Sequence, residues 1–346
     1  MRPDLNGKQT RVLEAVVASH IRSGRPVGSW LVAERTTVGL GPASIRNVMA
    51  ELEHLGYLAK PHVSAGRVPT QAGYRFYVDR HFAPGVPARP LLRAIRGAMD
   101  DSLPVGDVLE RVSRLLGTLT HSTGVVLGPR AAGGAVAKLE AIGASPGAAL
   151  LTLTVEPGVV RTLAVRCALS ISPGAMSDLA AEVGNLVVGR QPRLALAMVR
   201  DRAQVGGRNR EVWEALARWL RQLASDDDFS VFVFGAGNIL TEIDDRAEAR
   251  EVLATLESKQ RVARAVLGAA GEWGVGVTIG SENRSRPMRG CSVVSSPYWM
   301  GSARGAVGVI GPLRMEYPKV ITLIDSVSRE LTDYLARQGG RLESAN

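Results

Sequence analysis

The chain has 346 residues, 45% of them apolar, enough for the cores of two or three domains. Its formal net charge of +9 at pH 7 favours an anionic partner. Two cysteines, Cys167 and Cys291, exclude a disulfide framework and fit a reducing cytoplasm, and no apolar run reaches the roughly 18 residues of a membrane span.

The charge is concentrated at the start. The first 85 residues hold eleven Lys/Arg against six Asp/Glu, and four of the five histidines. Lys8–Ser23 is predicted helical, with Val12, Leu13, Val16, Val17 and Ile21 on one side. Gly24 ends it, Pro26 follows, and Ser29 is placed to cap a second short helix. A third helix opens at Pro42, whose fixed φ suits a first helical position, and stops at Gly56. Ile45, Val48, Met49, Leu52 and Leu55 form its apolar stripe. The opposite face carries Ala43, Ser44, Arg46, Asn47, Ala50 and Glu51. Arg pairs in bidentate fashion with guanine and Asn with adenine, so Arg46 and Asn47 suit a major groove.

Two short strands follow, Tyr57–His62 and Arg67–Pro69, turning at Ser64-Ala65-Gly66. Lys60, His62, Ser64 and Arg67 lie on this hairpin, where they could reach phosphates or a minor groove. Three helices on tight turns with a hairpin behind the third make a winged helix-turn-helix, a reader of double-stranded DNA. Thr70 is placed to cap a further helix through Val78.

Pro84, Pro87 and Pro90 make a stiff linker. A helix near Leu91–Met99 and an amphipathic one through Leu119 precede strands at 124–127, 137–142, 150–155 and 159–167, then a helix capped by Ser177. From Gly189 to Ala270 the texture is helical, and Trp213 and Trp219 lie on a heavily apolar face. Strand character returns at 275–279, 291–294 and 306–310, before a last helix, Val320–Leu335. Gly235-Ala236-Gly237 lacks the third glycine of a dinucleotide loop, and Asp226-Asp227-Asp228 has no regular ligand spacing. No metal or cofactor site is expected. No nucleophile–base grouping is evident, so an enzyme is not expected.

Arg25-Pro26-Val27-Gly28-Ser29, Pro42–Asn47, His62–Thr70 and Gly73–Asp79 resemble the HrcA family of heat-inducible bacterial transcription repressors. So do Ile279–Asn283, Cys291–Val294 and Gly308–Pro318. Gly41 departs from that pattern, where a serine is expected. The resemblance implies an α+β multidomain chain in which a GAF-like domain is interrupted by a mainly helical insertion. The expected division is 1–85 winged helix, 86–103 linker, 104–188 and 271–338 GAF-like domain, 189–270 insertion and 339–346 tail. It further implies a cytoplasmic homodimer paired through the insertion, with Trp213 and Trp219 as candidates. Its partners would be an inverted-repeat operator upstream of chaperone operons and a chaperonin that maintains the repressor. The alternative expectation is a small-molecule-sensing winged-helix regulator that uses the GAF-like domain as its pocket.

Overall fold

The computed structural model describes residues 5–35, 39–62, 65–129, 134–145, 148–155, 159–166, 173–205, 210–224, 230–240, 243, 245–301 and 303–344. Helix α1 (Gly7–Ser23) begins with a capping box. The Asn6 side chain accepts from Lys8 N and Gln9 N, and Gln9 reaches back to Asn6 N. It ends at Gly24 in the left-handed region, φ 65°. Helix α2 (Ser29–Arg35) starts one residue earlier than a Ser29 cap would put it, because Leu31 N and Val32 N donate to the Gly28 carbonyl. Helix α3 (Pro42–His54) has Gly41 as its N-cap, with no side-chain cap bond. Strands β1 (Leu58–Ala59) and β2 (Val68–Pro69) are shorter than expected. A backbone pair extends the hairpin: Val27 N donates to Arg67 O at 2.8 Å, and Arg67 N to Val27 O at 2.9 Å. The turn between α1 and α2 is thereby tied to the hairpin. Helix α4 (Gln71–Arg80) is capped by Thr70, which accepts from Gly73 N and donates to Gly56 O at 2.7 Å.

Beyond the prolines come α5 (Arg89–Ala98), α6 (Val105–Thr120) and β3 (Thr123–Leu127). Strands β4 (Val136–Ser145), β5 (Ala148–Val155) and β6 (Val159–Arg166) form an antiparallel meander. Helices α7 (Pro173–Val187), α8 (Pro192–Val205) and α9 (Arg210–Leu223) follow. Ser177 therefore lies inside α7 and does not cap it. Next are β7 (Val231–Phe234), α10 (Ala236–Leu240), α11 (Arg246–Glu257), α12 (Lys259–Ala269) and β8 (Gly276–Ile279). The chain closes with β9 (Cys291–Met300), β10 (Ala303–Pro312) and the long α13 (Tyr317–Ser344). Strands β3 and β7–β10 make one antiparallel sheet in the order β7-β3-β10-β9-β8.

Burial redraws the units that sequence texture suggests. Leu151, Leu153 and Val155 on β5 share one core with Val183, Val199, Trp213, Leu216 and Leu220 from α7–α9. The meander belongs with the first part of the helical block, not with the five-stranded sheet. Helices α11 and α12, expected in the insertion, instead bury Val252, Val262 and Val266 against Val125, Val293 and Ile310 of that sheet. A boundary at 188/189 therefore cuts through a core. Helical texture alone could not show this, because each face of a sheet needs its own cover and sequence does not say which helices provide it. The sheet's other side joins α5, α6 and α13 in a core continuous with the N-terminal helices.

Gly66 tests how closely the hairpin approaches the α1–α2 turn. A Cβ there would stand 2.4 Å from the Val27 carbonyl oxygen, which cannot move without breaking the Val27–Arg67 pair. Gly66→Ala should cost about 1–3 kcal/mol, the usual penalty for overpacking, seen as a lower urea midpoint in equilibrium unfolding.

Candidate nucleic-acid interface

Helix α3 sorts its residues as its pattern predicts. Ile45, Met49 and Leu52 are buried, and Val48 and Leu55 are half-buried. Ala43, Ser44, Arg46, Asn47, Ala50 and Glu51 are exposed. Arg46 and Asn47 have no hydrogen-bond or ionic partner among the described residues, so both are free to bond outward. On the same exposed side, Gln9 Nε2 of α1 donates to Glu51 Oε2 at 2.9 Å and ties the two helices together.

The hairpin residues divide. Lys60 and His62 are exposed. Ser64 lies outside the described residues. Arg67 is turned inward: its Nε stands 2.7 Å from Glu53 Oε2, and its side chain is 17% exposed. It braces the hairpin against α3 and is not a free cation. Trp213 and Trp219 are 2% and 7% exposed, inside the core of β4–β6 and α7–α9, so neither is available for a dimer contact. Two exposed groups of the same N-terminal unit were not named as candidate contacts from pattern: Arg25, in the turn before α2, and Trp30, near the start of α2.

A second feature was invisible in the sequence. The motifs near residues 73–79, 279–283 and 311–318 meet in space. Arg75 of α4 donates from Nε to Glu282 Oε1 (2.9 Å), from Nη2 to the Val277 carbonyl (2.8 Å) and again to Glu282 Oε2, and from Nη1 to Asp79 (3.2 Å). Ser281 N donates to Gln71 Oε1 at 2.9 Å. The loop receiving them is rigid because buried Asn283 donates from Nδ2 to the carbonyls of Gly280, Met288 and Cys291, and accepts from Thr278 Oγ1 at 2.7 Å. Beside this polar contact the buried rings of Tyr74 and Tyr317 lie 6.2 Å apart. The Tyr317 hydroxyl donates to Leu313 O and bonds Ser292 Oγ, each at 2.7 Å. Helix α4 thus fastens the N-terminal unit to the edge of the five-stranded sheet.

A family profile described as HrcA protein C terminal domain matches residues 106–321. The heat-inducible transcription repressor HrcA of Streptomyces avermitilis is 34% identical, with 96% of this chain and 99% of that protein covered. The protein of that name from Nitratidesulfovibrio vulgaris strain DP4 is 35% identical over 96% of this chain and 97% of its own. The chain belongs to the HrcA family. A solved structure described only as a hypothetical protein superposes with a TM-score of 0.66 at 21% identity, covering 96% of this chain and 99% of that one, and shares the fold. In this HrcA chain no group of metal-ligating side chains occurs among the described residues, and no helix among them is long and apolar enough to cross a membrane. Cys291 is buried, and burial pushes its thiol up to about 12, which makes it unreactive. Cys167 and Asp226–Asp228 lie outside the described residues.

His20 reports on the junction. Its Nδ1 shares a 2.8 Å hydrogen bond with the Tyr74 hydroxyl. Burial first, and then the charge of Arg314, hold its pKa below the ordinary 6.5. The unfolded chain therefore takes up a proton that the folded chain resists. Stability is whole above the unfolded value and is lost as pH falls through it. The melting temperature should drop between pH 7.5 and 5.5, and His20→Gln should flatten that dependence. An unchanged slope in the variant would remove His20 from the account.

Proposed function

We propose that this chain represses transcription of heat-inducible chaperone genes by binding an operator through a winged helix-turn-helix formed by residues 5–80. The observation that carries the reading is the exposed face of α3, with Arg46 and Asn47 unpartnered and a hairpin presenting Lys60 and His62 behind it. Small residues at Ala43, Ser44 and Ala50 let that face approach base edges closely. Lys60 and His62 are placed for phosphate or minor-groove contact. The relatives' shared name, heat-inducible transcription repressor, supports the regulatory half of the reading. A DNA-reading repressor of this kind acts in the cytoplasm and performs no catalysis.

The reader works as a homodimer on an inverted repeat, one α3 per half-site. The unit of β4–β6 and α7–α9 supports pairing through its surface. Ile142 of β4 and Leu150 of β5 are cross-strand neighbours and exposed, and Leu194 and Val205 of α8 are 61% and 76% exposed. A chaperonin is the further partner that the family resemblance implies. Binding the folded repressor would raise its active population by mass action and release it when unfolded clients compete. The GAF-like reading of the five-stranded sheet with its flanking helices belongs to this proposal too.

A small-molecule-sensing regulator has one observation in its favour. A cavity of about 430 Å³ lies between β6 and the main sheet, lined by Leu109, Val160, Phe232 and Met300 with Arg161 and Ser230. Its volume suits a small ligand, but few polar groups converge on it.

On an inverted-repeat duplex enriched from a random pool by the purified protein, Arg46→Ala should weaken binding by about 1–3 kcal/mol and relax specificity at one base pair. Equal loss on a scrambled duplex would refute base reading. Lys60→Ala should weaken both duplexes alike and flatten the salt dependence by about one phosphate contact. Ile142→Asp should convert the dimer to a monomer in sedimentation equilibrium if the meander face forms the pairing surface.

A further inference from the structure

We propose that Arg75 is a positioning residue for operator recognition: its guanidinium fixes the angle between α3 and the five-stranded sheet, and so sets the half-site spacing that the dimer accepts. The proposal rests on the DNA-reading function above and deepens it.

Four geometric facts lead here. Arg75 donates to two elements outside its own helix, the edge-strand carbonyl of Val277 and the carboxylate of Glu282. The planar fork of a guanidinium makes such a multi-point contact directional, which a lysine cannot match. The receiving loop cannot follow α4, because Asn283 locks it from below through three backbone carbonyls. Gly280, at φ 59°, packs so close to Gln71 that a Cβ would meet its Oε1 at 2.7 Å. The seam also runs straight back to the reader: α4 is capped by Thr70 against the Gly56 and Tyr57 carbonyls at the end of α3.

Other contacts across this junction are less directional: the Arg314 guanidinium lies against Gly24 at the end of α1, and the apolar core runs on from the N-terminal helices to the sheet. After Arg80 the chain passes through exposed residues 81–86, where Gly85 N donates to Thr322 Oγ1 at 2.9 Å. Without the Arg75 contact, the N-terminal unit would be held mainly by the non-directional Tyr74–Tyr317 seam and its surrounding core, by the single Gln71–Ser281 bond and by this short tether. A dimer gains from two half-sites only when both readers are held at the matching separation, because a loose reader spreads its effective concentration over many positions. All three guanidinium nitrogens of Arg75 are engaged within the protein. The side chain is tied at the sheet edge, so its effect must pass through α3.

The test uses the full-length protein and the pool-enriched inverted repeat, with half-site spacing changed by one, two and five base pairs. The wild type should bind one spacing about tenfold or more better than the others. Arg75→Ala and Glu282→Gln should keep the affinity for a duplex with a single half-site and lose most of that preference; Arg75→Lys should fall between. Arg80→Ala breaks a pair inside the reader unit, with Glu14 at 2.6 Å, and should leave the preference intact. Hydrogen exchange of residues 81–86 reads the junction without DNA and should quicken in Arg75→Ala and Glu282→Gln only. If Arg75→Ala fails to fold, Glu282→Gln decides alone. Faster exchange with unchanged spacing preference would overturn positioning, and so would a wild type indifferent to spacing. A wild type that enriches no inverted repeat would instead overturn the DNA-reading function, which these outcomes keep separate.

Discussion

Two buried tyrosines make one molecule of what would otherwise be an N-terminal helical unit and a scaffold on a proline tether. Tyr74 comes from α4 and Tyr317 from the first turn of α13, and their rings meet where the N-terminal core and the sheet core merge. Burying two such rings gains several kcal/mol by area alone, yet apolar contact is non-directional and would allow the units to slide. Direction comes from the polar rim. The Arg75 fork, the Gln71–Ser281 bond and the Tyr317 hydroxyl's bonds to Ser292 and Leu313 each specify one arrangement. Burying the tyrosine hydroxyls is tolerable because each finds a partner.

The same division recurs in the N-terminal unit. Its core of Val12, Leu13, Val16, Ile45, Leu52 and Tyr74 supplies the stabilising burial. Its shape is set by a few directional contacts: the Val27–Arg67 backbone pair, the Arg67–Glu53 ion pair and Thr70 on Gly56. These consume Arg67, a charge that pattern alone assigns to DNA, and leave Arg46, Asn47, Lys60 and His62 pointing outward. A cation on a hairpin can serve phosphate or the fold. Only the position of Glu53, fourteen residues earlier and on another element, decides which.

The remaining unit, β4–β6 with α7–α9, has a self-contained core and packs its two tryptophans inside. What it offers outward is branched aliphatic surface on β4, β5 and α8, without the aromatic anchors that usually dominate interface cores. A contact of that kind depends on shape match over an area more than on one residue.

Local rules in the sequence determined the helices α1, α3 and α4 and their caps. Asn6, Gly24, Gly56 and Thr70 act through bonds spanning only a few residues, Pro42 acts through its fixed φ, and apolar spacing settles which face of α3 is free. The long motifs also determined family membership, since they match in order over nearly the whole chain. What required the tertiary structure was every assignment that depends on a distant partner. The meander's helices were assigned by shared burial, Arg67's role by Glu53, and the interior place of Trp213 and Trp219 by a closed core. The joining of 73–79 to 279–283 and 311–318 spans more than two hundred residues of chain. Periodicity reports whether a face is apolar and spacing reports whether a turn can form. Neither reports what that face or charge will meet, because that follows from packing the chain as a whole.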